Sequence, residues 1–157
     1  MDSHNAAFTY LENLYDADTS ASGLKNSASA ANLSGGFVRR GARHETLQTP
    51  YVEVEIAGER EQDRMQQSPN QRTTELVVRL HLFTDKNLVF GSAAGNQNTV
   101  VLRMNTVFHN IQPTTDNSTD WECNRIYRVS GQQLQGDMAK AHYVETYLVR
   151  LSAAVVA

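Results

Sequence analysis

The stretch "TTELVVRLHLFTDKN", residues 73–87, decides the predicted fold, because it is the most regular part of the chain. Every second residue in it is aliphatic, and these residues are Leu76, Val78, Leu80 and Leu82. Alternation with a period of two is typical of a strand that buries one face of a sheet. Each aliphatic side chain contributes roughly 1.5–3 kcal/mol when it leaves water, so this strand requires a cover on its apolar face.

A second strand and a covering helix are predicted on either side of this stretch. Residues 51–58, "YVEVEIAG", follow Pro50 and show the same alternation of apolar and polar side chains. Residues 95–111 change to a period of about three and a half, which is typical of an amphipathic helix, and Pro113 supplies the stop. The apolar stripe of this helix comprises Val100, Val101, Met104, Val107, Phe108 and Ile111.

Weaker patterns complete the predicted domain. A short helix is expected over residues 5–15, capped by Asp2 or Ser3, and two further strands are expected at 121–129 and 142–152. The apolar side of the short helix comprises Phe8, Leu11, Leu14 and Tyr15. The predicted fold is a single α+β domain over residues 1–157: one mostly antiparallel sheet of about four main strands, helices packed on one face, and long loops.

Two long segments are predicted as loops. Residues 16–36 are rich in Ser, Ala, Asn and Gly and have no convincing period, so we expect a long flexible loop that is disordered or ordered by a partner. Residues 57–72 alternate in charge and are expected to form a protruding polar loop between two strands. A short extended piece is expected around Phe37 and Val38.

Composition and charge narrow the classes of protein. The chain has 157 residues, 40% hydrophobic and 20% charged, which is typical of one globular domain. Its net charge of −3 gives no general basic field for nucleic acid; the basic run at residues 37–44, "FVRRGARH", leaves a local nucleic-acid patch as a weaker alternative.

Cys123 is the only cysteine, so no intrachain disulfide forms, and we expect it to be a small buried hydrophobe. The N-terminal residues lack the basic and apolar regions of a signal peptide, and no apolar run is long enough to predict a membrane span.

Motifs for catalysis and metal binding are absent from the sequence. The five histidines are scattered, and none pairs with another at helical spacing. We therefore predict no enzymatic activity, no metal and no cofactor. A small enzyme with a cleft around Arg79, His81 and Glu145 remains the alternative, although we expect His81 to lie on the surface or in an interface.

The face of the sheet opposite the helices is predicted to carry a surplus of aromatic and aliphatic side chains. This set comprises Tyr51, Val77, Phe83, Tyr143 and Tyr147, interspersed with Arg79, His81 and Glu145. Either a protein partner covers it, or the N-terminal helix and tail cover it within the chain. The candidate interface residues are Glu59, Arg60, Glu61, Asp63, Arg64, Arg79, His81, Phe83, Tyr143 and Tyr147.

The order of these elements resembles the small tail terminator, or tail completion, proteins of long-tailed bacteriophages. The resemblance covers residues 5–152 and lies in order and texture rather than in one diagnostic motif; segment 16–36 is longer than is usual for the family. The stretches that carry it are "FTYLENLY", "GGFVRR", "TPYVEVEIAG", "ELVVRLHLFTD", "VVLRMNTVFHNI", "YRVSG" and "AHYVETYLVRLS".

The resemblance implies a structural virion protein that is made in the cytoplasm of a host bacterium. Such proteins form a ring, usually a hexamer, which docks on the tail tube protein, stops tube polymerisation and joins the tail to the head–tail connector or neck proteins. Genomic DNA would pass through the lumen without specific binding, and no membrane would be involved. The alternative within the same class is another neck ring component, either a head completion or adaptor protein or a tail tube protein.

Overall fold

A computed structural model describes residues 1–41, 47–61, 71–88, 93–137 and 139–154 of the chain. Two helices and five strands make up the domain, and two short 3₁₀ helices lie at Lys86–Leu88 and Asn117–Thr119. The predicted α+β class is confirmed. In chain order the main elements are α1 (Ser3–Ala17), β1 (Gly36–Arg39), β2 (Tyr51–Glu61), β3 (Gln71–Asp85), α2 (Gln97–Phe108), β4 (Glu122–Leu134) and β5 (Lys140–Ala154).

The five strands form one mixed sheet in the order β1-β2-β3-β5-β4. Only β1 and β2 pair in parallel, and the three other pairs are antiparallel. The added strand β1 corresponds to the short extended piece predicted around Phe37 and Val38. β3 lies in the centre and pairs along its whole length with β5, from Gln71 opposite Ala154 to Asp85 opposite Lys140.

The central strand and the second helix form as their patterns predict. The four alternating aliphatic side chains of β3 are fully buried beneath α1 and α2. α2 starts after Asn96, whose side chain accepts a hydrogen bond from the Thr99 N–H at 2.9 Å. The helix ends at Phe108, three residues earlier than predicted, because Asn110 adopts the left-handed conformation with φ 57°. Ile111 instead exchanges two backbone hydrogen bonds with Ile126 of β4.

The first helix is longer than predicted and buries a different stripe. Asp2 caps it, accepting a hydrogen bond from the Asn5 N–H at 2.7 Å. Its fully buried residues are Ala6, Ala7, Tyr10 and Leu11, while Phe8, Leu14 and Tyr15 pack against the edge of the same core. Tyr10 was not predicted in the core, yet its hydroxyl donates to the Trp121 carbonyl and accepts from the Asp116 N–H. This polar tip ties α1 to the segment before β4.

Residues 16–36 contain no helix or strand between Ala17 and Gly36, but they pack on the core of their own chain. Leu24, Ala31 and Leu33 are at most 3% exposed. Asp18 accepts a hydrogen bond from the Leu24 N–H and forms an ion pair with Arg103 of α2. The few apolar residues in this segment are thus enough to fix it, which its low apolar content did not indicate.

The predicted loop at 57–72 is partly strand. β2 continues to Glu61 with a bulge at Ala57, and β3 starts at Gln71, so the two strands extend into the range assigned to the loop. Residues 62–70 lie outside the described part of the chain. Neither described helix is long and apolar enough to cross a membrane.

Candidate functional site

The distal face of the sheet, defined as the face that points away from α1 and α2, is the region that the sequence marked for a partner. Residues directly opposite each other on antiparallel strands share a face, so the pairing registers define its members. They are Tyr51, Glu53 and Glu55 on β2, Val77, Arg79, His81 and Phe83 on β3, and His142, Val144, Thr146 and Leu148 on β5.

Tyr143 and Tyr147 were predicted on this face, and that prediction is wrong. Tyr147 pairs with Val78, is fully buried beneath the helices and donates its hydroxyl to Asn105 of α2 at 3.0 Å. Its burial raises the pKa of the phenol far above its usual value. β5 is apolar on both faces, so its alternation could not reveal which set of residues points inward; the register with β3 decides it.

The cleft proposed for an enzyme does not form, because Glu145 also lies on the helix side of the sheet. It is fully buried, and its carboxylate pairs with the Arg128 side chain at 2.6 Å. Burial raises the pKa of Glu145. Arg79 and His81 lie on the opposite face, so these three side chains do not meet around a common site. Glu145 serves to connect β4 with β5.

A cluster of ionisable side chains occupies the centre of the distal face. His81 is only 5% exposed, so of the two expected positions, on the surface or in an interface, it does not occupy the first. Its Nε2 lies 3.0 Å from Glu55 Oε1 and its Nδ1 lies 2.9 Å from His142 Nε2. Arg40 reaches the same imidazole, and Arg79 lies 3.7 Å from Glu55. The hydrogen bond from His81 lowers the pKa of Glu55, outweighing the effect of its partial burial.

Beside this cluster, the aromatic side chains of the distal face stack on one another. Phe83 lies between Tyr51 and His142, with ring centroids 4.9 Å and 4.3 Å away. The Lys140 ammonium sits 4.9 Å from the centroid of the Tyr51 ring. The aromatic residues therefore cover each other, and the distal face is not the exposed apolar surface that the sequence predicted. The large hydrophobic side chains exposed among the described residues are Met1, Leu102 and Val129.

The remaining candidate residues lie on or beyond the β2–β3 hairpin. Glu59 is exposed and accepts a hydrogen bond from the Thr74 hydroxyl. The backbones of Arg60 and Glu61 pair with Glu75 and Thr74 of β3. Asp63 and Arg64 lie outside the described residues.

The cysteine and the described arginine Arg39 of the basic run both serve the fold. Arg39 donates to the Asn5 side chain and lies over the Phe8 ring, while residues 42–44 of the run fall outside the described part. Cys123 is buried, as predicted, and burial raises the pKa of its thiol to about 12. Among the residues that the structure describes, no group of three or more His, Cys, Asp or Glu side chains is arranged to hold a metal ion.

Glu55, Arg40 and His142 belong to the distal cluster and escaped the sequence analysis. Glu55 lies opposite Arg79 and His142 lies opposite Phe83, each two residues from His81 along β3. Their closeness to His81 follows from the pairing registers, which the sequence alone does not provide. Arg40 follows the short strand β1, whose position beside β2 gave no periodic signal. The polar positions of "YVEVEIAG" were the one sequence feature from which Glu55 could have been inferred.

Comparison with known proteins identifies the class of fold. No protein family model matches the sequence, and no curated protein is significantly similar to it. Among solved structures, the fold is similar to a chain of the virion of a native gene transfer agent (GTA) particle, with a TM-score of 0.62. The identity is 8%, while the alignment covers 93% of this chain and 94% of that chain. The likeness therefore concerns the whole domain and shows a common fold.

Proposed function

We propose that this protein is a structural component of a phage-like virion that forms a ring at the end of the tail tube. The ring would stop polymerisation of the tube and join the tail to the head or neck. The observation that carries the proposal is the fold likeness to a GTA virion chain, which spans nearly all of both chains. The order and texture of the sequence elements, which resemble tail terminators, point in the same direction.

The two faces of the sheet suit such a role in different ways. The helix side contains the hydrophobic core of the subunit. The distal face and the β2–β3 hairpin offer polar side chains for neighbouring proteins, and polar, charged rims are common in interfaces that form after folding. We assign the hairpin residues Glu59, Arg60 and Glu61 to contacts with the tube or with a neighbouring subunit, together with Asp63 and Arg64.

Arg79, His81 and Phe83 remain the candidate contacts on the distal face, whereas Tyr143 and Tyr147 point to the helix side of the sheet. Cationic groups on the distal face are accompanied by carboxylates, as in the contacts of Glu55 with Arg79 and His81. A surface of this kind, on a chain of net charge −3, provides few free cations to hold phosphate groups. This is compatible with DNA passing through the ring without specific binding.

Deletion of the gene from the particle that encodes it tests the proposed role. We expect separate heads and tails, with tails of irregular length, in electron micrographs, and restoration by the wild-type gene. Normally joined particles from the deletion would refute the proposal. Tails of normal length that fail to join would favour a head completion or adaptor protein, and an absence of tails would favour a tube protein.

A second experiment examines the hairpin directly. The purified protein is added to tube protein during polymerisation, and tube lengths are measured by negative-stain microscopy. Glu59→Lys should reduce capping if the hairpin contacts the tube. Glu122→Lys, at an exposed position on β4, makes the same charge change and should cap like the wild type. Equal effects of the two variants would remove the hairpin from the proposed interface.

A further inference from the structure

Among the described residues, one edge of the sheet is only half covered. β1 pairs with residues Tyr51 to Val54 of β2, and the Arg40 N–H then donates to the Val54 carbonyl at 2.8 Å. Gly41, with φ 87°, turns the chain at this point. Within the described residues, β2 beyond its bulge at Ala57 therefore has no ladder partner on its outer side. Unpaired edge strands are templates for another strand.

The described residues also cover only half of the opposite edge, at the other end of the sheet. Ile111 pairs with Ile126 of β4, and His109 Nδ1 accepts a hydrogen bond from the Arg128 N–H at 2.9 Å. A bulge follows between Arg128 and Ser130. From Ser130 to Leu134 the described part of the chain provides no further strand on the outer side of β4.

Alternation of the ladder shows which backbone groups point outward. The Val54 carbonyl accepts a hydrogen bond from Arg40 on the outer side of β2, and Val54 lies opposite Leu80 of β3. Leu76 lies four residues before Leu80, so its partner Glu59 repeats the orientation of Val54. The backbone N–H and C=O of Glu59 therefore point outward. The Arg128 N–H donates a hydrogen bond on the outer side of β4, and Arg128 lies opposite Tyr147 of β5. Tyr143 lies four residues before Tyr147, so its partner Gln133 repeats the orientation of Arg128. The backbone N–H and C=O of Gln133 therefore also point outward. The side chains of Glu59 and Gln133 both lie on the helix side of the sheet and both residues are exposed.

We propose that these two free edges bind each other in neighbouring copies of the chain, so that β2 of one subunit pairs with β4 of the next and the sheet continues around the ring. This inference rests on the proposed ring function. Each of the strands β2, β3, β5 and β4 runs antiparallel to the one before it, so β2 and β4 run in opposite directions. Rotation about a ring axis to which the strands are tilted keeps these opposite directions, so β2 of one copy and β4 of the next meet as an antiparallel pair.

Charge favours a second copy joined in this head-to-tail manner. The free part of β2 contains Glu59, Arg60 and Glu61, whereas Ser130 to Leu134 contains no ionisable side chain. Pairing β2 with another β2 would bring carboxylates together, and like charges opposite each other destabilise a sheet. Pairing β2 with β4 avoids this. A contact between two different patches is also what a closed ring requires.

The offset between the two free edges fits a closed cylinder. Across β3, Glu59 lies at the same height in the sheet as Val149 of β5, and Gln133 lies at the height of Tyr143 of β5. Val149 and Tyr143 are six positions apart along β5. Pairing Glu59 with Gln133 thus shifts each copy by about 20 Å along the strands, across a width of about 19 Å for four strands. The resulting strand tilt is about 45°, at the upper end of the range of closed β-barrels.

Disulfide cross-linking tests the pairing. Directly opposite cysteines on adjacent strands are within disulfide distance, and the native Cys123 is buried with a raised pKa, so it can stay in place. Glu59→Cys and Gln133→Cys proteins are oxidised mildly, separately and as a mixture. We expect cross-linked dimers only in the mixture, and a ladder of linked oligomers from the double variant within purified particles. Cross-links in either single variant alone, or none in particles of the double variant, would overturn the proposed pairing.

A matched pair of substitutions examines the backbone itself. Gln133→Pro removes an outward N–H, which an edge strand tolerates without loss of fold, and Gln133→Ala removes only the side chain. We expect at least tenfold less incorporation into particles for the proline variant than for the alanine variant, with equal thermal melting. Equal incorporation would overturn the pairing. Absence of the wild-type protein from particles would instead refute the proposed function, so the two failures are distinguishable.

Discussion

On the helix side of the sheet, β3 buries Leu76, Leu80 and Leu82 completely, whereas on the distal side the same strand brings Arg79 and His81 to Glu55. The first set is stabilised by removal of apolar surface from water. The second set is stabilised by hydrogen bonds and ion pairs, which contribute little net energy where water reaches them. We therefore expect stability to reside mainly on the helix side of the sheet.

The largest expected effect lies at the centre of the helix side. Leu80→Ala should reduce the free energy of unfolding by about 2–5 kcal/mol, because it leaves a cavity between the sheet and the helices. Val77→Ala, on the distal side of the same strand, should cost less than about 1 kcal/mol, since this side chain is only partly buried. Urea unfolding of both variants measures the difference. Equal losses would mean that the two faces contribute equally and would break the comparison.

The ion pair between Asp18 and Arg103 attaches the 16–36 segment to helix α2 on the helix side of the sheet. Asp18→Ala should cost about 1–3 kcal/mol, because the Leu24 N–H loses its acceptor and the Arg103 guanidinium loses its ion pair. Asp16→Ala removes a carboxylate from an exposed pair with Lys25 and should change stability little. Proteolysis within 16–36 should accelerate only in the Asp18 variant.

The Asp18 carboxyl also determines the direction in which the stability of the fold changes at acid pH. Burial raises the pKa of its carboxyl, but the hydrogen bonds from Arg103 and from the Leu24 N–H outweigh this effect and lower it below the usual value of 3.8. The stabilisation is therefore present above that value and is lost as the pH falls through the folded pKa. Unfolding of Asp18→Asn should depend less on pH in this acid range. An unchanged pH profile would show that Asp18 is not held as the charged partner of Arg103.

A smaller effect sharpens the assignment of β5. Tyr147→Phe removes the hydroxyl that donates to Asn105 and should cost about 1 kcal/mol in unfolding free energy. Tyr127→Phe removes a longer contact, 3.4 Å from Glu75, and should cost less. If Tyr147→Phe were neutral while Tyr127→Phe destabilised the protein, the proposed orientation of β5 would be wrong.

The β5 tyrosines also show where prediction from sequence stops. β3 and α2 were predictable because their apolar residues occupy one face only, so period alone assigns both the element and its orientation. β5 has apolar residues on both faces, and its orientation follows from the register with β3, which is a tertiary contact. The position of β1 and the contact of Arg40 with His81 are likewise tertiary features. The fold class, the central strand and its covering helix were thus predictable, whereas the full extent of β2 and β3 and the composition of the distal face were not.

The smallest expected effect is the titration of His142 on the distal face. Burial lowers the pKa of this imidazole below 6.5, and electrostatic interactions with His81 and Arg40 lower it further, while Glu53 opposes them. The neutral form is thus favoured by the fold. This stabilisation is present above the unfolded pKa and is lost as the pH falls through the folded value. Histidine NMR titration measures the shift directly.

Two substitutions should move the pKa of His142 in opposite directions. Arg40→Gln removes a positive charge and should raise it toward its usual value, whereas Glu53→Gln removes a negative charge and should lower it further. Neither change should alter the unfolding free energy as much as Leu80→Ala does, because the distal cluster contributes less than the apolar core. Shifts in the same direction for both variants would mean that packing changes, rather than charge, control this face.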